Sequence, residues 1–224
     1  MKTLNVFGLV LLVSLLLIMN PDGLAQDQAT DFMSAVAQSD LEAVKKGIAD
    51  GMDVNFVDNE RMTPLMMAIY GDNREMVELL VSNGADVNLN TKKGSNALNV
   101  AASMGNLEIC GLLLQKGADL EATDNEGKTP LMNAVYNKKI GIVEFLVEYG
   151  ANVNAREPNG WSALMLASMG GAAEMVQLLL DAGADVNSRT NDGETPLQRA
   201  QKLEDAGLGD YSEIINLLKA AGAE

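Results

Sequence analysis

From residue 129 onward, apolar and polar positions alternate with a helical period. Thr129 and Pro130 open the pattern as a hydroxyl N-cap followed by a proline at the first helical position, where a missing N–H costs nothing. Leu131, Ala134 and Val135 give the helix that starts there one apolar face, and residues 136–139 interrupt it as a polar turn. Ile140, Ile142, Val143, Phe145 and Leu146 resume the spacing and predict a second helix over 140–149, which Gly150 ends as a left-handed residue. The stretch that follows is extended and closes in a tight Asp/Asn/Gly turn, so it reads as a β-hairpin or hairpin-like loop.

The pattern recurs. Its terminal glycine stands at Gly51, Gly84, Gly117, Gly150 and Gly183, each 33 residues after the last. Two short helices and a turn cannot bury their own faces, whereas stacked copies can, and a fixed short period means a solenoid. Residues 28–53 form a truncated first copy, with Phe32, Val36, Leu41, Val44 and Ile48 inward, and read as an N-terminal cap. Full copies occupy 54–86, 87–119, 120–152 and 153–185, and 186–224 is a longer C-terminal cap whose additional residues lie around 203–210. Asn96 and Ser162 replace the threonine N-cap in two copies and keep its function. Arg61 replaces the turn glycine in the first full copy, so that tip must take a positive φ or another turn.

Thr63, Pro64 and Leu65, with Gly84, Ala85, Asp86, Val87, Asn88 and their counterparts, resemble the ankyrin repeat over nearly all of the chain after residue 28. The resemblance implies an all-α repeat fold, an ankyrin solenoid of helix-turn-helix units with projecting β-hairpin loops. It also implies a partner gripped by the hairpin tips and by the exposed side of the first helix in each pair. Position by position, that surface holds Met62, Lys92, Lys93, Lys128 and Trp161 on the hairpins and Tyr70, Met104, Tyr136 and Met169 on the helices. The place of Trp161 is filled by Met62, Ser95, Lys128 and Glu194 elsewhere, a spread that no shared packing requirement explains. One departure runs through every copy: Met66, Asn99, Met132, Met165 and Gln198 stand where the family places a histidine, which puts some bonding between repeats in doubt.

Residues 1–25 change the expected compartment. Lys2, an apolar run of 14 residues over 6–19, Pro21, and Gly23 with Ala25 make a secretory signal peptide cleaved before Gln26. The competing reading is a retained membrane anchor, which ordinarily needs roughly 20 apolar residues. Export then places residues 26–224 in the periplasm or outside the cell as a monomer with no membrane association after cleavage. The leader carries one Lys and one Asp, so the remainder keeps the net charge of −15. That charge excludes nucleic acid and anionic lipid as partners, since both are bound through clustered Lys and Arg.

The residues available for chemistry are few. The chain has no histidine and one cysteine, which removes the usual nucleophile–base pairs and zinc sites, and no cofactor, metal ligand set or catalytic residue is assigned. Cys110 aligns with Val77, Val143, Val176 and Ile215 and reads as a core thiol. Met62, Met66 and Met67 match a soft-metal cluster in composition only and occupy packing positions. Asp58 and Asp124 recur at hairpin corners, where carboxylates cap turns. The functional expectation is a non-enzymatic module that binds a protein partner on its concave face. The alternative is a carboxylate-dependent enzyme or a calcium-binding exported protein.

Overall fold

The structure, a computed structural model, describes residues 21–224, with side chains from residue 28 onward. The expected leader lies outside the described residues up to residue 20. Pro21 begins a helix that continues across the expected cleavage bond. Among the described residues twelve helices form six pairs. They are α1 (Pro21–Ala37) with α2 (Leu41–Ala49), α3 (Pro64–Tyr70) with α4 (Arg74–Ser82), and α5 (Ala97–Met104) with α6 (Leu107–Gln115). The remaining pairs are α7 (Pro130–Tyr136) with α8 (Ile140–Glu148), α9 (Ala163–Met169) with α10 (Ala173–Asp181), and α11 (Pro196–Asp205) with α12 (Ser212–Ala220).

Each inner helix from α3 onward starts where the sequence places its cap. The side-chain oxygens of Thr63, Asn96, Thr129, Ser162 and Thr195 accept from the backbone N–H three residues on, for example Met66 N to Thr63 Oγ1 at 3.1 Å. The inner helices pack directly on one another, while the outer ones meet more loosely, so the stack curves with the inner row and the hairpins on its concave side. An inner helix touches neighbours on both sides and its own outer helix. It is therefore buried nearly all round, as in α9, where residues 163–168 are all buried. The outer helices are amphipathic, with Met76, Val77 and Leu80 in α4 and Ile142, Val143 and Leu146 in α8 buried. One continuous core runs from Phe32 to Leu218.

The missing histidines are replaced in two ways. Met66, Met132 and Met165 are buried and fill the space with flexible thioethers. Asn99 keeps a polar role, closing a capping box with Asn96 and donating Nδ2 to Ala122 O of the next repeat at 3.1 Å. A second polar column ties the start of each copy to the loop that closes it. Asn88 donates to Gly117 O and accepts from Asp119 N, at 3.0 and 2.9 Å, and Asn55, Asn154 and Asn187 make the same pair of bonds one repeat apart. Glu121 occupies this column once. Its carboxylate accepts from Asn152 N at 2.8 Å but has no donor to offer the carbonyl.

Three local features refine the sequence expectations. Among the described residues the projecting loops are hairpin-like without a strand ladder, with one isolated antiparallel bridge, Arg156 with Ser162: their flanks share a single backbone bond, as Asp58 N does with Met62 O, and the next bonds run from tip to tip, as Lys92 N does to Glu60 O. Arg61 takes the strained option at φ 59°. The additional residues of the last repeat lengthen α11 to Asp205 before a short turn, so only part of 203–210 is loop.

Candidate functional site

The concave hairpin row is built from repeated turns. In three copies a carboxylate closes the turn by accepting two backbone N–H groups: Asp58 from Glu60 and Met62, Asp124 from Glu126 and Lys128, and Glu157 from Asn159 and Trp161, all at 2.8–3.0 Å. In the other two the hydroxyls of Thr91 and Thr190 accept one backbone N–H each, from Ser95 and Glu194. Neighbouring tips are clamped together. Asn125 donates from its backbone to Lys93 O and from Nδ2 to Lys92 O, and Asn191 repeats the pair on Asn159 and Pro158. The acidic corners therefore hold the loops in shape, with one oxygen of each carboxylate committed to backbone donors.

Between the third and fourth full repeats this row and the inner helices enclose a cleft of about 400 Å³. Tyr136 at the end of α7 and Leu166 and Met169 on α9 form one side, and Lys128, Pro158 and Trp161 from two successive hairpins form the other. Tyr136 is 58% exposed, a large ring that the fold leaves unburied. Each aromatic ring carries a cation: Lys128 Nζ lies 4.5 Å from the Tyr136 ring centre, and Arg199 Cζ of α11 lies 5.1 Å from that of Trp161. Partial burial works against the Lys128 charge, but the hydrogen bond and charge of Glu126, 2.6 Å away, outweigh it and hold the ammonium above its ordinary pKa. The same hydrogen bond holds the Glu126 carboxyl below its usual range. Glu194 is held low by its hydrogen bond to Lys202 and by Arg199, with which it pairs at 3.2 Å.

Of the nine residues expected on the binding face, Lys128, Tyr136, Trp161 and Met169 line this cleft. Met62, Tyr70, Lys92, Lys93 and Met104 belong to the same rows nearer the N-terminus and lie outside it. Tyr70 and Met104 are exposed, and Lys92 pairs with Glu60 across repeats. Trp161 is less free than its variable position implies, because it is half-buried against the core and stacked under Arg199. Glu157, Leu166 and Arg199 were not singled out from the sequence. Leu166 and Arg199 share one repeat column with Met67, Val100 and Asn133, and a charge entering that column is the sign that could have found Arg199.

Cys110 sits elsewhere, fully buried on α6, and burial pushes its thiol up from 9.0 to about 12. A raised acid binds its proton more tightly in the folded state. Its stabilising contribution is therefore complete below the unfolded value near 9 and disappears as pH rises toward 12. We expect a thiol reagent at pH 8 to leave the folded protein unmodified and to label Cys110 fully in denaturant, both read by mass spectrometry. Rapid labelling of the folded chain would place the thiol at an opening. Among the described residues no three carboxylate or thiolate side chains converge into a metal site, and no helix is long and apolar enough to cross a membrane.

A family model described as ankyrin repeats (3 copies) matches residues 8–91, 32–124, 83–157 and 152–224. No curated protein matches the chain.

Proposed function

The chain belongs to the ankyrin-repeat family, whose repeats are generally protein–protein interaction modules and typically not enzymes, and on that premise we propose that it is an exported, non-enzymatic module holding a partner protein in the concave cleft. The observation that carries this reading is the aromatic cleft itself. Tyr136 and Trp161 present large, stiff side chains to a concave surface, Trp161 at a position where other copies carry Met62, Ser95, Lys128 and Glu194, and such side chains dominate interface energetics. Export rests on the leader pattern of residues 1–25, with its apolar run and small residues before Gln26. The carboxylate alternative has less support, because Asp58 and Asp124 already serve backbone N–H groups.

The test separates binding from stability. Tyr136→Ala is expected to change unfolding free energy by no more than about 0.5 kcal/mol, since the ring is largely exposed. Trp161→Ala removes a half-buried ring and the stacking of Arg199, so its expected cost is about 1–2 kcal/mol. Each should weaken partner binding by about 2 kcal/mol or more, roughly thirtyfold, measured by titration with the protein captured on the wild-type chain from envelope extract. Capture at unchanged affinity by both variants would remove the cleft from the interface.

A further inference from the structure

We propose, building on the concave-face reading, that the cleft accepts an extended segment of its partner presenting one bulky apolar side chain beside a carboxylate, and that it rejects cationic side chains. Aromatic walls ordinarily invite a cation, because the ring faces are the negative end of the quadrupole. Here that attraction is already used. Lys128, which lines the cleft, sits over Tyr136, and Arg199, outside the lining, sits over Trp161, so an incoming ammonium or guanidinium meets a like charge at the Tyr136 wall. The space between the walls is apolar, bounded by Leu166 and Met169, and suits an uncharged branched or aromatic side chain.

The spare hydrogen-bonding capacity points the same way. Glu157 spends its carboxylate on the backbone of its own turn and on Asn159 Nδ2. Glu194 is taken by Arg199 and Lys202. Glu126, largely exposed, pairs with Lys128, whose ammonium carries three donors and spends one on that bond. Around the cleft, then, the carboxylates are engaged while donors remain, and the complementary group is an anion next to an apolar side chain. This reverses the preference for basic partners expected from a net charge of −15.

The chain has one tryptophan, so the emission of Trp161 reports occupancy of the cleft directly. Short Gly/Ser peptides carrying a single Phe flanked by Asp, by Asn or by Lys are titrated into the full chain while that emission is followed. We expect the Asp-flanked peptide to bind about threefold tighter than the Asn-flanked one and about tenfold tighter than the Lys-flanked one. Added salt should shrink the preference, Lys128→Gln with Arg199→Gln should remove it, and replacing the Phe by Gly should abolish binding. Should Arg199→Gln lose its cooperative melting, Lys128→Gln alone carries the comparison. Equal affinity for all three peptides, or a preference for Lys, overturns the charge assignment and leaves the concave-face reading standing. An emission unmoved by any of the peptides counts against that reading as well. A shift with protein concentration in the absence of peptide assigns the cleft to a second copy of the chain and overturns the proposal.

Discussion

Leu146→Ala is expected to destabilise the fold by about 2–5 kcal/mol, the range for deleting a buried leucine. The side chain is fully inaccessible in α8, and the repeat places a buried leucine at the same position in Leu80, Leu113, Leu179 and Leu218. Two contributions add: the transfer of the removed carbons and the cavity they leave. The cavity resists collapse because α8 is held on both flanks by α6 and α10 and from within by α7. Urea denaturation followed by circular dichroism should show a clearly lower midpoint. Leu178→Ala, a half-exposed neighbour on α10, should cost no more than about half as much. Equal effects from the two variants would mean that the faces of the outer helices are assigned wrongly.

The first copy shows how the same space is filled differently. Residue 47 is a glycine where later copies have that leucine, and a Cβ there would come within 2.7 Å of Phe32. Phe32 in turn stands where later copies have Leu65, Leu98, Leu131, Leu164 and Leu197. A larger residue on the inner helix thus takes the room that a smaller one on the outer helix releases. The exchange conserves volume across the pair, the kind of swap that packed cores tolerate best.

Most of the architecture was legible because the signals are local and repeated five times. A hydroxyl or amide before the helix, apolar spacing, and a glycine after it each have their own physical reason, and five registers remove the ambiguity of one. The asparagine column was visible as a recurring letter, but its role was not, since Asn88 bonds to Gly117 and Asp119 some thirty residues away at the far end of its own copy. The cleft was half legible. Periodicity located the free positions that became Lys128, Tyr136, Trp161 and Met169, but could not say that four of nine would converge while Tyr70 and Met104 stayed apart. Arg199 escaped for a physical reason: its contact with Trp161 spans two repeats and depends on how the stack brings α11 beneath the fourth hairpin.

Gly127→Ala should be almost as damaging as the core truncation, by a different route. Gly127 has φ +78°, a region where an L side chain costs about 1–2 kcal/mol, and its missing Cβ would lie 2.3 Å from Pro158 Cδ of the next hairpin. The proline ring cannot rotate away, so the hairpins must separate, an overpacking cost of a further ~1–3 kcal/mol. Gly193 supplies the control. It has φ +81° at the equivalent position of the last hairpin, yet a Cβ there meets nothing within 4 Å. Gly193→Ala should therefore lose only the backbone contribution, about 1–2 kcal/mol. The difference between the two variants in urea melts isolates the contact between adjacent tips. Pro158 also walls the cleft, so Gly127→Ala should shift the emission of Trp161 in the folded state, and Gly193→Ala should shift it less. Equal stability losses with identical emission would show that the hairpins are spaced independently of each other, and that the shape of the cleft is set by the helices alone.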